Sequence, residues 1–244
     1  MKSYFITGTD TGVGKTLVTA ALMHALQSRG LPAAPTKPLR VAPMKPVAAG
    51  TIAVGNAWLN EDVALLQEIS QYRFALADVN PYCLAEGIAP HIAAAHEHVN
   101  IDLETIRAAF ARLRANADMV LVEGAGGFLV PLAATQSMAD IPVALQLDVI
   151  LVVAMRLGCL NHALLTAAAI RARGLHLAGW VANSASAIAM NAFDENLSTL
   201  QAMLDAPCLG VIPFVDRAGG SGGNDPAAAA RAAAMHLRID SINA

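Results

Sequence analysis

The stretch Gly8-Thr9-Asp10-Thr11-Gly12-Val13-Gly14-Lys15-Thr16 follows an apolar run, Tyr4-Phe5-Ile6, and opens a segment with helical spacing. Glycines let backbone N–H groups turn inward around phosphate oxygens, and the helix that follows presents its positive end. Lys15 then reaches the β- and γ-phosphates, and Thr16 offers a hydroxyl to Mg2+. With a strand before and a helix after, the stretch reads as a phosphate-binding loop for a nucleoside triphosphate. Downstream, Leu17, Val18, Ala21, Leu22, Ala25 and Leu26 recur at helical spacing, and Arg29-Gly30 suits a helix end. Residues 31–44 contain four prolines and read as a loop, after which Met44 to Gly50 should emerge at the carboxyl edge of a sheet.

The same alternation continues. Apolar runs at Met119–Val122, Val149–Ala154, Leu177–Ala182 and Leu209–Ile212 read as buried strands. Helical patterns span Leu103–Arg114, Leu160–Arg173 and Asp194–Leu204. Strand–helix repetition predicts an α/β chain: one doubly wound, mostly parallel sheet with helices on both faces, of the P-loop NTPase type. Residues 1–217 would form the core of a single domain. The Gly-rich stretch from Ala218 to Gly223, and the alanine-rich one after it, read as a flexible tail ending in a surface helix.

Composition agrees. Hydrophobic residues make up 55% of the 244, which suits strands buried on both faces, yet Gln146 and Asp148 interrupt the longest apolar stretch before it could span a bilayer. A net charge of -3 with no lysine or arginine cluster argues against a nucleic-acid partner. Three scattered cysteines (Cys83, Cys159, Cys208) indicate neither a disulfide framework nor a zinc site, and His96 and His98 lack a third ligand. The expectation is a cytoplasmic protein with no membrane partner.

Several residues beyond the loop invite two readings each. Asn60-Glu61-Asp62 precedes an apolar helical pattern, so Asp62 complements a helix dipole or faces the phosphate site. Glu123 stands at the tip of a buried strand before Gly124-Ala125-Gly126-Gly127. There it is a solvated strand end or the acid that holds Mg2+ opposite Thr16. Gly158-Cys159-Leu160-Asn161 is a tight turn or a set of N–H groups for a carboxylate. Asn183 is a turn residue or an amide that reads a base.

Five stretches in order resemble the dethiobiotin synthetase family: Gly8 to Thr16, Lys45-Pro46-Val47-Ala48, Val122 to Gly127, Leu157 to Ala163, and Gly179-Trp180-Val181-Ala182-Asn183. The similarity runs from residue 1 to about Pro213. The resemblance implies ATP- and Mg2+-dependent carboxylation and ring closure of 7,8-diaminononanoate with CO2 or bicarbonate, through a carbamate that ATP phosphorylates. It implies catalytic roles for Lys45, Lys15 and Thr11, with Thr16, Asp62 and Glu123 around Mg2+. Gly12, Val13, Gly14, Gly124, Ala125 and Gly126 would join the nucleotide site, with Asn183 and Pro213 on the adenine side. Thr11, Lys45 and Thr51 would contact the substrate, and Gly158, Cys159 and Asn161 would hold its carboxylate from the partner subunit of a homodimer.

The chain departs from the family pattern at several points. Ala49 stands where the family carries a serine that touches the diamine, and Thr51 is the candidate replacement. Arg156 stands where lysine is common, Gly12 where glutamate is frequent, and the partner tyrosine expected near residue 195 is absent. The loop at 31–44 holds a decoy, Lys37-Pro38, but Val47-Ala48 and Gly50 follow Lys45 and select it. Two other readings share the loop: an amide synthetase of the cobyrinic acid type, which needs a glutaminase domain, and a partition or regulatory ATPase. The latter carries a second lysine early in the loop, where this chain has Thr9-Asp10-Thr11. No Asn-Lys-x-Asp tetrad for guanine occurs.

Overall fold

The computed structural model describes residues 2–29, 38–54, 57–215, 225–240 and 242. The chain runs β1 (Tyr4–Gly8), α1 (Lys15–Arg29), β2 (Val41–Met44), β3 (Val47–Ala49), β4 (Ile52–Val54), β5 (Ala57–Leu59), α2 (Glu61–Ile69) and α3 (Leu76–Val79). It continues through β6 (Tyr82–Leu84), α4 (Pro90–His96), α5 (Leu103–Asn116), β7 (Met119–Gly127), α6 (Asp140–Leu145) and β8 (Asp148–Ala154). It ends with α7 (Cys159–Ala172), β9 (Leu177–Asn183), α8 (Phe193–Met203), β10 (Cys208–Ile212) and α9 (Pro226–Ala234).

Six strands form a parallel sheet in the order β10-β9-β8-β1-β7-β2. Alternate residues face opposite layers. Phe5, Val122, Leu151 and Trp180 pack with α5 and α7, whereas Tyr4, Ile6, Leu121 and Ile150 pack with α1 and α9. Both faces are therefore covered, which is why the strands are apolar without alternation. The connection after β1 runs through α1 towards β2 on one side, and that after the adjacent β8 runs through α7 towards β9 on the other, so the crevice beyond their carboxyl ends is where such sheets bind ligands.

Two expectations are corrected. The Pro-rich stretch is not loop as far as Met44, because Val41–Met44 forms β2. Pro43 is tolerated since β2 is an edge strand that pairs only with β7, so one side needs no N–H donor. Residues 30–37, including the decoy Lys37, lie outside the described residues. The expected surface helix of the tail is instead a buried one. Ala227, Ala229, Ala230, Ala233 and Ala234 of α9 are all buried, in a layer with Leu22 and Met23 of α1. Asp225 caps α9 by accepting the Ala228 N–H at 2.8 Å, with Pro226 in the first turn.

Outside the main sheet, β3 pairs in parallel with β6, and β4 and β5 form a hairpin. Of these short strands β3 reaches the crevice, through Ala49. Among the described residues no helix is long and apolar enough to cross a membrane.

Candidate active site

The glycine-rich loop needs its glycines for separate reasons. Gly12 and Gly14 have φ of 73° and 90°, which disfavour any side chain, and a Cβ on Gly8 would lie 2.5 Å from Val13 Cγ2. Asp10 organises the tip: its carboxylate accepts the Thr11 N–H at 2.7 Å and an Arg156 N–H at 2.8 Å. Its carbonyl accepts from Lys15 Nζ at 3.0 Å. Lys15 is only 7% exposed. Burial, and secondly the nearby Lys45, bring its pKa down to about 8, against the opposing pull of Glu123, Asp62 and Asp10.

Lys45 sits between β2 and β3, where the backbone leaves one sheet for another. Its N–H donates to the Val79 carbonyl at 2.7 Å, and its carbonyl accepts from Asn80 Nδ2 at 2.6 Å. The ammonium bridges two carboxylates, Asp62 Oδ2 at 2.8 Å and Glu123 Oε1 at 2.5 Å. Thr16 Oγ1 lies 2.7 Å from Asp62 Oδ1 and 2.9 Å from Glu123 Oε1, so its one proton serves one acid at a time. Burial alone would lower the Lys45 pKa, but Glu123 and Asp62 outweigh it and hold it above the ordinary lysine value. Asp62 responds in kind: burial would raise it, yet Lys45, Thr16 and Lys15 leave it lowered. A charged group of this kind, with Lys45 and Glu123 buried and Asp62 open to the cleft, is a costly way to stabilise a fold and a common way to build an active site.

Glu123 is fully buried, and it lies within β7 rather than at the strand's tip. Ile6 pairs with Glu123 and Gly8 with Gly127, so β7 advances four residues while β1 advances two, an irregularity just past Glu123. Both readings of Asp62 hold at once, since it lies in the first turn of α2, capped by Asn60, and its carboxylate also meets Lys45 and Thr16.

A cleft of about 630 Å3 opens in front of these groups. Thr11, Gly12, Gly14, Lys15 and Thr16 form its floor, with Lys45, Asp62, Ala125 and Gly126 beside them. Thr11 Oγ1 lies 3.6 Å from the place a Gly126 Cβ would take, so the phosphate loop and the glycine-rich end of β7 face each other closely. Gly124 instead turns to the core, where a Cβ would meet Phe5 Cζ at 2.9 Å. Val13 is buried and contributes backbone only, and its carbonyl accepts from Asn183 Nδ2 at 2.8 Å. Asn183 ends β9 and is no turn residue, and its Oδ1 is buried without a partner.

The structure does not bring every predicted residue to this cleft. Thr51, Gly158, Cys159, Asn161, Asn183 and Pro213 are not among those that line it. Thr51 donates its N–H to the Ala85 carbonyl at 3.2 Å, and Gly158, at φ 93°, precedes α7 with no side-chain cap. Conversely, Asn60, Ile88, Ala89, Pro90 and Val130 line the cleft without having been predicted there. The one available signal was Pro90, the start of a helix at the cleft's rim.

The donor set suits a hard cation. Thr16 Oγ1, Asp62 and Glu123 offer oxygen only, and Glu123 Oε2 is a buried oxygen with no hydrogen-bond partner. The Lys45 ammonium lies between the two acids and offsets their charge.

A parallel sheet whose first strand feeds a phosphate loop, with a lysine and an acid at neighbouring strands facing it, defines a P-loop nucleotide-binding protein. Solved structures agree on the fold. A ParA family ATPase from Chlorobium tepidum aligns with TM-score 0.55 at 13% identity, covering 99% of this chain and 98% of that one. The septum site-determining protein MinD of Pyrococcus horikoshii, complexed with Mg-ADP, aligns with TM-score 0.54 at 18% identity, covering 98% of this chain and 88% of that one. The AAA domain family model matches residues 2–220. In sequence, the chain is 51% identical to the ATP-dependent dethiobiotin synthetase BioD of Aromatoleum aromaticum over 226 residues, 93% of this chain and 94% of that one. It is 44% identical to that of Xanthomonas campestris over 237 residues, 97% of each. The chain belongs to the dethiobiotin synthetase family of ATP-dependent ligases.

Proposed function

We propose that this chain closes the ureido ring of dethiobiotin from 7,8-diaminononanoate, CO2 and ATP, as a cytoplasmic homodimer. The observation that carries the reading is Lys45, a buried cation at a strand end, held by Asp62 and Glu123 directly across from the phosphate loop. A partition-type switch carries its second lysine within the phosphate loop, whereas a second buried lysine at the strand end opposite suits a reaction that gathers negative charge on two partners.

The chemistry proceeds in three steps. A neutral amine of the diamine attacks CO2, forming a C–N bond, and loses a proton to give a carbamate anion. A carbamate oxygen attacks the γ-phosphorus of ATP, and the bond to the bridging oxygen breaks to release ADP. The second amine then attacks the carbonyl carbon of this mixed anhydride, phosphate leaves, and a proton is lost as the ring closes. No step needs a covalent bond to the protein. The side chains align anions and neutralise charge: Lys15 from the loop side, Lys45 from the acceptor side, with Thr11 between. Thr16, Asp62 and Glu123 would hold Mg2+, which supplies charge neutralisation at the phosphate oxygens. Asn183 Oδ1, a buried acceptor lacking a donor, suits the amino group of adenine, and Pro213 directly follows Ile212, the β10 residue that pairs with Asn183. Gly158, Cys159 and Asn161 at the start of α7 would receive the substrate carboxylate of the other subunit's site.

Purified protein given ATP, Mg2+, bicarbonate and the diamine should release phosphate and form dethiobiotin, followed by mass spectrometry. Phosphate release at the same rate without the diamine would overturn the reading.

A further inference from the structure

Asn60 does more than begin a helix. Its Oδ1 accepts the Asp62 N–H at 3.1 Å, an ordinary capping bond that serine, threonine or aspartate would also make. Its Nδ2 is spent elsewhere, donating to the Gly50 carbonyl at 2.7 Å and the Ala49 carbonyl at 3.3 Å. Only an amide offers an acceptor and two donor protons in one rigid plane, which accounts for asparagine here rather than the smaller caps.

These contacts close a circuit. The stretch from Lys45 to Gly50 is held at one end by the Lys45–Asp62 ion pair and at the other by Asn60, which also accepts from Asp62. Gly50 has φ 89°, and a Cβ there would lie 3.2 Å from the Gly87 Cα. The Gly50 N–H is bonded to the Leu84 carbonyl at 2.9 Å. The wall at residues 49–50 is thus fixed against residues 84–87 on one side and against Asn60 on the other. Asn60 is buried, lines the cleft, and directs its side-chain hydrogen bonds to Ala49, Gly50 and Asp62 rather than to Lys15, Lys45 or Glu123.

We propose that Asn60 is a positioning residue. Its amide sets the acceptor-side wall at Ala49 and Gly50 relative to Asp62, and so sets where the diamine lies against Lys45. This rests on the functional reading above.

Asn60→Ser and Asn60→Asp both retain a capping acceptor while losing the donors to the wall. For Asn60→Ser the expected result is a KM for the diamine raised about tenfold, the equivalent of one lost hydrogen bond of upper-range strength, with ADP affinity and melting temperature close to wild type. Asn60→Asp should show the larger effect, since it sets a carboxylate against two carbonyl oxygens. Amide hydrogen exchange across residues 47–52 should also accelerate in both variants, a readout that needs no turnover. If the diamine KM stays within twofold of wild type, or exchange across 47–52 is unchanged, the proposal is overturned. A drop in melting temperature with diamine and ADP affinities weakening in parallel overturns it too, because Asn60 would then be a helix cap alone. Wild-type protein that ignores the diamine sinks the functional reading, while the exchange measurement still decides whether Asn60 ties the wall.

Discussion

Replacing Lys45 by glutamine removes the cation between Asp62 and Glu123 while leaving the phosphate loop whole. Product formation should be abolished, and ATP binding, measured by calorimetry, should remain close to wild type; a large loss of ATP affinity would place Lys45 on the nucleotide side instead. Lys15 allows a test in pH. Its pKa in the folded protein is about 8, against 10.5 for the ordinary side chain. Below about 8 both states are charged and the folded protein carries the whole cost of a buried ammonium. Between about 8 and 10.5 the unfolded chain holds the extra proton, so this group's contribution to stability rises with pH. A triphosphate favours the charged form, so nucleotide binding near pH 8.5 should take up protons, seen as a dependence of the calorimetric enthalpy on buffer ionisation. Lys45→Gln should move that uptake to higher pH, because Lys45 is the second cause of the depression. Lys45 was singled out only through the family resemblance, whereas Lys15 and Glu123 were legible locally, as a lysine after glycines and an acid after an apolar run. The second role of Asn60 was not, since its donors reach carbonyls ten and eleven residues away, and capping already explained the asparagine.

Among the elements, those with strong apolar runs were readable and α9 was not. An alanine-rich helix has little contrast between its faces, so its pattern does not say which side is buried. The packing does: small side chains let α9 lie close against α1, whose Ala20 and Ala21 are likewise fully buried in the same layer. Ala233→Leu should therefore cost about 1–3 kcal/mol by overpacking. A surface helix would tolerate the same change within about 0.5 kcal/mol. Urea denaturation distinguishes the two. β2 was missed for a different reason, because proline argues against strands in general but not against an edge strand with one neighbour. Similarly, the rim at Ile88 to Pro90 carries no periodic signal, and only the pairing of β3 with β6 brings it to the cleft.

At the scale of the whole molecule, the sheet order puts the loop after β8 and the start of α7 at the same carboxyl edge as the phosphate loop, where Arg156 reaches Asp10. Gly158, Cys159 and Asn161 nevertheless do not line this chain's own cleft. If a second copy supplies that turn, each site combines the Lys45 of one subunit with the Gly158 turn of the other, an arrangement that two-fold symmetry repeats. Leu157, 95% exposed beside that turn, is an apolar side chain suited to burial between subunits. Complementation tests the arrangement. Lys45→Gln and Gly158→Val should each be inactive alone, the latter because a β-branched residue is strained at φ 93°. In a mixed dimer one site inherits both defects and the other inherits neither. Random exchange of subunits at equal amounts makes half the dimers mixed, so activity should recover to about a quarter of wild type. Mixtures that stay inactive after subunits have been shown to exchange would mean that each chain completes its own site, and the start of α7 would lose its assigned role.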